Sequence, residues 1–318
     1  MCHQLVDYLR NRNYDAYIVY VKDWKISNDQ SITQTYQFYN IKSTQHIEDT
    51  PNNILVLPEI FFDYILQFKN IQIGCWWMSV DNHYKCTTFK DCFLFEKSWI
   101  NKMRLLKQYM VGQRHQFKNS LKLLHKEEKR IIHFYQSHYA QFHLYNLGMS
   151  KIMPLSDYIN IQIENNINHN IKKEDIILFN PKKGFDFTKK VIKRIHKFKF
   201  IPLQGFNRKE LSDIFDRAKL YIDFGNFPGK DRLPREAAAH NCCIITGKNG
   251  ASYFYEDLPL KETYKFETKT KNLKIICERI KDVMENYDER IKDFTYYCNQ
   301  IHRERELFHA EINDIFIQ

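Results

Sequence analysis

Among the 318 residues there is no CxxC pair, no unbroken apolar run of membrane-spanning length, no GxxxxGK phosphate loop, no GxGxxG turn and no internal repeat. Each absence removes a class. Without paired thiols, the eight cysteines (Cys2, Cys75, Cys86, Cys92, Cys242, Cys243, Cys277, Cys298) read as small packed hydrophobes, and a reducing, cytoplasmic setting is expected. The spacing of His83, Cys86 and Cys92 matches no familiar zinc pattern, so no metal is expected. The longest apolar stretch, from Ile54 to Leu66, is interrupted by Pro58, Glu59 and Asp63, well short of the roughly 18 residues a span requires. The N-terminus reads as lacking a signal peptide. GKNGAS at 247–252 lacks Walker spacing. DFG at 223–225 stands without the catalytic loop and glycine-rich strand of a protein kinase.

What is present describes a folded chain. Hydrophobic residues make up 43% and aromatic residues 15%, which argues against disorder. The length suggests two domains at roughly 150 residues each. Lys and Arg total 48 against 38 acids, a formal charge of +10. Such a surface attracts nucleic acid, anionic lipid or phosphorylated small molecules, and charge alone does not choose among them.

Strand and helix patterns alternate, which predicts an α/β protein with parallel sheets. In the first half, 3–12 reads as a helix, and 15–21, 53–57, 71–80, 131–136 and 152–155 as strands. This half begins at the helix, without the strand and glycine turn that normally come first, so its first strand is expected to be missing. The Asn-rich stretch 160–173 suits a hinge. In the second half, 175–179, 200–202, 220–224 and 242–246 read as strands, with helices at 187–198, 208–217 and 234–240. The tail, 273–316, reads as two helices.

The most specific segment is YIDFGNFPGKDRLPREAAAHNCCIIT, residues 221–246. Pro234 in a first helical turn and the alanines after Glu236 mark a helix start. Gly225, Gly229, Lys230 and Arg232 precede or open it. Free amides and the positive dipole end at a helix N-terminus form an anion site, and two cations beside it would neutralise a pyrophosphate without metal. Glu236, on the first turn, could accept bonds from ribose hydroxyls, with Asp231 and Arg235 orienting these groups. Asp231, Arg232, Arg235 and Glu236 read equally as a surface ion-pair cluster on a capped helix.

PGKDRLPREAA (228–238), TGKNGASYFYEDLP (246–259), LVLPEI (55–60) and WWMSVDN (76–82) together resemble a bacterial family of GT-B glycosyltransferases of surface polysaccharide (capsule or lipopolysaccharide) assembly, in order along most of the chain. The resemblance implies two Rossmann-like domains facing across a cleft: 1–160 presenting the acceptor, 161–300 binding a nucleotide-diphospho-sugar, and 301–318 a closing helix packing back on the first. It implies that Glu236 holds the donor ribose and that Lys230 and Arg232 hold its diphosphate. The general GT-B donor motif has a second acid eight residues before the glutamate. Here that position is Pro228, and Asp231 is the natural substitute.

Ligands of parallel sheets bind beyond the strands' carboxyl ends. Asn180, Lys183 and Gly184 follow one strand, Gln204 and Gly205 the next, and Gly250 and Ser252 lie in a glycine loop after Thr246; all are donor-binding candidates. Glu59 and Asp81 follow strands of the first half and, with His83, are candidates for taking the acceptor's proton, while Lys230 and Arg232 act on the leaving group. Asp81 also reads as a helix cap or turn residue. Trp76 and Trp77 read as core and cleft wall. The basic stretch 97–130 reads as a helix resting on anionic lipid or as a solvated face.

The expected function is therefore a metal-independent, cofactor-free glycosyltransferase, cytoplasmic and peripheral to the inner membrane face. It moves a sugar from a nucleotide-diphospho-sugar to a saccharide or lipid-linked acceptor. The alternatives are a nucleotide-sugar epimerase of the same fold and a basic nucleic-acid-binding protein. Few aromatics interleave with the cations in the stacking pattern of single-strand binders, so no nucleic-acid partner is expected.

Overall fold

The computed structural model describes residues 1–27, 36–160 and 171–317. Two wholly parallel sheets organise it. The first carries β3 (Ile54–Pro58), β4 (Gln72–Trp77), β5 (Ile131–Tyr135) and β6 (Ile152–Pro154) in the order β3-β4-β5-β6. The second carries β7 (Glu174–Phe179), β8 (Lys199–Pro202), β9 (Ala218–Asp223), β10 (Cys243–Gly247) and β11 (Lys265–Phe266) in the order β11-β10-β9-β7-β8. Central strands of such sheets are covered on both faces, so they need continuous rather than alternating apolarity. CIITG of β10 is buried throughout and LYID of β9 at every position. The expected parallel α/β architecture is what the chain adopts.

The expected strand at 15–21 is not one. Ile18 makes a single bridge to Ser43, and Val21–Lys22 (β1) pairs only with Lys25–Ile26 (β2) in a small antiparallel ribbon. The alternation suits a strand, but of these seven residues only Ile18 is buried, so no apolar face is available to dock on a sheet. The expected hinge 160–173, and with it the 160/161 boundary, falls largely outside the described residues.

Serine caps shape the first half. Ser79, Ser98, Ser120 and Ser137 accept a backbone N–H at the starts of α2 (Val80–Lys85), α4 (Trp99–Met110), α5 (Leu121–Glu127) and α6 (His138–Asn146); a side-chain cap contributes about 1 kcal/mol. Thr88 does the same for α3 (Phe89–Phe95). The strand expected to run through Val80 therefore ends at Trp77. The basic stretch is not one helix either: α4 stops at Met110, with Gly112 in the left-handed region two residues on, and glycine ends helices there at no steric cost.

In the second half, α7 (Phe185–Ile192) starts and stops earlier than expected, α8 (Arg208–Arg217) has an Asn207–Glu210 capping box, and α9 (Arg232–Ala239) starts two residues before Pro234. The tail forms α10 (Leu273–Glu285), the short α11 (Tyr287–Arg290) and the long α12 (Thr295–Phe316).

Helix α12 joins the halves. Tyr297, Ile301, Glu304, Phe308 and Ile312 recur at helical spacing and are all buried, the stripe of a helix facing protein. Tyr297 and Ile301 belong to the second half's core. Phe308 and Ile312 pack with Trp76, Phe134 and Leu155 of the first half and with Leu5 and Tyr8 of α1 (Cys2–Asn11). All eight cysteines are free thiols. Among the described residues no helix is long and apolar enough to cross a membrane.

Candidate functional site

The loop 225–231 leaves β9 at its carboxyl end and lies directly against the first half. Val80 N donates to Pro228 O at 2.9 Å, and Lys230 N to Gln136 Oε1 at 3.1 Å. Gly229 has no room for a side chain: a Cβ there would sit 2.0 Å from Met78 O. Asn226 donates to Asp81 across the same seam. The loop and the head of α9 therefore line the junction between the carboxyl edges of both sheets. The space left beside them is about 10 Å³, bounded by Phe227, Lys230, Asp231, Ser252 and Tyr297, too small for a nucleotide.

The cations here are matched to carboxylates. Lys183 Nζ is clasped by Asp231, lies 3.3 Å from Asp223 Oδ2 and sits 3.9 Å above the Phe227 ring. Lys230 Nζ is 3.2 Å from Glu304 Oε1. Arg232 Nε donates to Glu236 Oε1 at 2.5 Å, with the arginine half exposed and the glutamate buried. The second oxygen of Glu236 is buried with no hydrogen-bond partner. An unsatisfied buried acceptor is costly, which makes this oxygen a place for a ligand donor.

Arg235 faces inward. It is 2% exposed and donates to Asp157 Oδ2 at 2.9 Å and Glu304 Oε2 at 3.0 Å. Burial opposes its charge, yet the two carboxylates raise its pKa further. Burial would raise the Asp157 carboxyl, but Arg235 and Lys230 outweigh it and hold the pKa down. Gln136 completes the network, donating to Asp157 Oδ1 at 2.9 Å. Arg235 is thus an internal tie from α9 to the first half and α12, placed behind the site.

Other candidates fall around this core. Gly184, with φ +65°, begins α7, and a Cβ there would lie 2.3 Å from Gly225 N; the two loops touch through backbone. Asn180 Nδ2 lies 3.5 Å from Asp223 Oδ2. Gly250 bridges to Phe227, and Ser252 Oγ donates to Gly247 O at 2.6 Å, holding its turn. Gln204 and Gly205 follow edge strand β8 and stay exposed, outside the cluster.

On the first half, Asp81 Oδ1 accepts from Tyr139 OH at 3.2 Å. Glu59 is 2% exposed and accepts from Met78 N at 3.0 Å; burial lifts its pKa to about 7. His83 Nδ1 lies 3.1 Å from Glu59 O, and its ring packs 4.6 Å from Trp77. Burial lowers His83, His133 and His143 each to about 4. Trp76 and Trp77 are fully buried. Cys92 Sγ meets the Arg114 guanidinium at 3.4 Å. Among the described residues no group of three or more His, Cys, Asp and Glu side chains is arranged to hold a metal.

Spacing did not reveal Asp157, Gln136, Glu304 or Asp257. Gln136 and Asp157 lie one and three residues beyond strands of the first sheet, where cleft residues belong. Glu304 is one of two acids, with Glu311, on the buried and mostly apolar stripe of α12. Asp257 reaches from the second half to cap α6, accepting from His138 N at 2.7 Å and Tyr139 N at 2.9 Å.

A cavity of about 440 Å³ lies at the opposite, amino end of the second sheet, between Lys173, Asp216, Lys219, His240 and Tyr287. Its polar groups bond one another: His240 Nδ1 to Asp216 Oδ1 at 2.6 Å, Lys173 Nζ to His240 O at 2.6 Å, Tyr287 OH to Asn241 O at 2.6 Å. Size alone does not make it the site; the convergent charges lie at the other end.

No family model and no curated protein matches the sequence. Solved structures do match. TarM aligns over 86% of this chain and 56% of its own, with a TM-score of 0.61 and 15% identity. A TarM mutant from S. aureus, in complex with Fondaparinux, alpha-GlcNAc-glycerol and UDP, aligns over 86% and 57%, at 0.59 and 13%. Sucrose-phosphate synthase from Thermosynechococcus elongatus aligns over 83% and 72%, at 0.56 and 9%. The chain thus spans a little over half the length of TarM. The shared fold is the GT-B arrangement of two Rossmann-like sheets with C-terminal helices.

Proposed function

We propose that the chain is a glycosyltransferase that takes a sugar from a nucleotide-diphospho-sugar and passes it to a saccharide or lipid-linked acceptor of the cell envelope. The observation that carries this is the partnerless, buried Glu236 Oε2 beside Arg232 at the head of α9, where the carboxyl edges of both sheets meet. Glu236 accepts from the donor ribose. Lys230 and Arg232 stabilise the charge that develops on the departing diphosphate, with the N-terminus of α9 behind them. Lys183 and Asp231, joined by their ion pair, frame the other side, and the backbones of Gly184, Gly229 and Gly250 set the shape of the floor.

Two consequences follow from the geometry. The halves must part before donor enters, since the seam leaves about 10 Å³. Lys230 must also exchange Glu304 for phosphate. On the acceptor side, Asp81 lies at the seam and can take the hydroxyl proton, while Glu59, deeper and with a pKa near 7, holds Met78 in place. The UDP in the TarM complex belongs to that protein; a nucleoside diphosphate is the first ligand to try here.

The test is a thermal-shift screen with nucleoside diphosphates and their sugars, followed by product analysis with an acceptor. A specific native-state ligand raises the melting temperature. Arg232→Ala is expected to abolish that shift and lower turnover by about 10²–10³-fold, the scale of losing one transition-state charge contact. Unchanged transfer in Arg232→Ala would remove Arg232 from the mechanism. A changed nucleotide sugar released without acceptor would identify an epimerase instead.

A further inference from the structure

Residues 97–126 contain eight Lys and Arg and no Asp or Glu. Less than a tenth of the chain thus carries +8 of a whole-chain +10. Within it, α4 turns an apolar stripe outward. Leu105 is the buried residue facing protein, whereas Trp99, Met103, Leu106 and Met110, spaced by four, three and four residues, share another side. Trp99 is 71% exposed and Met110 75%; Ile100, Met103, Tyr109 and Val111 are also exposed. Lys102 and Lys107 flank the stripe, with Arg104 farther round. Arg114 is turned inward, donating to Thr87 O at 2.6 Å. Monomeric soluble proteins rarely leave such a patch open.

We propose that α4 docks on an anionic lipid bilayer, with Trp99, Met103, Leu106 and Met110 entering the headgroup–acyl boundary and Lys102, Lys107 and Lys97 on anionic headgroups. The stripe identifies the occupant. A nucleic acid would use the cations but has no need of the exposed methionines, isoleucine and valine between them; a bilayer uses both. The helices α2, α3 and α4 pack in succession outward from the carboxyl edge of the first sheet, so the docking face lies on the side where Asp81 meets the seam. This deepens the transfer reading by placing the acceptor in the lipid surface, yet it stands on its own observations.

Co-sedimentation of the full chain with phosphatidylcholine vesicles, with and without phosphatidylglycerol, tests it. Binding to the anionic vesicles is expected to be at least about tenfold tighter and to weaken with salt, because each surface cation contributes about 1 kcal/mol, a factor of about five. Trp99 emission should shift to the blue, and Trp99→Ser should remove that shift; Trp76 and Trp77 are buried already, and Trp24 packs against Phe61 and Phe117. Trp99→Ser with Met110→Ser should bind about tenfold more weakly with an unchanged melting curve. Failure to bind anionic vesicles at low salt, wild-type affinity in that double variant, tighter binding to an oligonucleotide, or a dimer that the double variant dissolves would each overturn the proposal. Vesicle binding without any nucleotide-induced shift would sink the transferase function and leave this one standing.

Discussion

The cations at the head of α9 and those along α4 are alike in sequence and opposite in circumstance. Lys183, Lys230, Arg232 and Arg235 each face a carboxylate, and three of those acids lie 48 to 78 residues away in the chain. Lys102, Arg104 and Lys107 have no carboxylate partner among the described residues. The first group is neutralised in advance, so an anionic ligand must displace acids and open a seam, which makes binding selective. The second group waits for an extended surface.

Breaking the pairing at its most buried point should have the largest effect. Arg235→Met takes from the buried Asp157 its guanidinium partner and leaves Glu304 with Lys230 alone, and is expected to cost about 3–5 kcal/mol in urea denaturation. Adding Asp157→Asn and Glu304→Gln should restore most of it; no restoration would mean that the arginine acts through packing.

A smaller effect, with a sign, is expected at Glu59. Its folded pKa is near 7, above the ordinary 4.5, so the native state holds this proton more tightly than the unfolded chain. Its contribution is full below about pH 4.5 and is lost as pH rises to about 7. Glu59→Gln should therefore raise stability at pH 8 by about 1–3 kcal/mol, while keeping an acceptor for Met78 N. The histidines run the other way: His83, His133 and His143 are held neutral to about pH 4. The stability they support is lost as pH falls below about 6.5. Melting temperatures should rise from pH 4 to about 6.5 in the wild type as the histidine term recovers, and Glu59→Gln should melt above the wild type from about pH 7 upward but alongside it near pH 4.

At the Arg232–Glu236 pair the arginine is half exposed and the glutamate buried, so Arg232→Ala should cost about 1–2 kcal/mol by leaving that carboxylate without its partner, even as donor binding falls. Smallest of all, Lys102→Glu with Lys107→Glu should leave urea midpoints within about 0.5 kcal/mol, since these side chains make no ion pair to lose. A large loss there would erase the contrast between the two groups.

Much of the second half was legible because its strands are apolar runs bounded by turns, and because Pro234 and the alanines mark α9. The first half was harder. Residues 15–21 alternate like a strand, yet tertiary context offers them only Ser43, and pattern without a partner makes no sheet. The run 97–130 reads as one basic helix until Gly112 takes up a positive φ. At the site, sequence placed Lys230, Arg232 and Glu236 together because they lie within seven residues at one loop-to-helix junction. It could not show that Arg235 points the other way, since that depends on Asp157 and Glu304, whose nearness arises only once α12 crosses both sheets.

Asp257 has a consequence beyond its two bonds. It caps α6 from the far side of the seam, so the first half starts a helix with a carboxylate that the second half supplies. Expressed alone, residues 1–160 would leave those amides bare and lose the apolar lid of Phe308 and Ile312. The two sheets are therefore expected to melt as one cooperative unit, and a nick in the chain between them should leave both pieces associated.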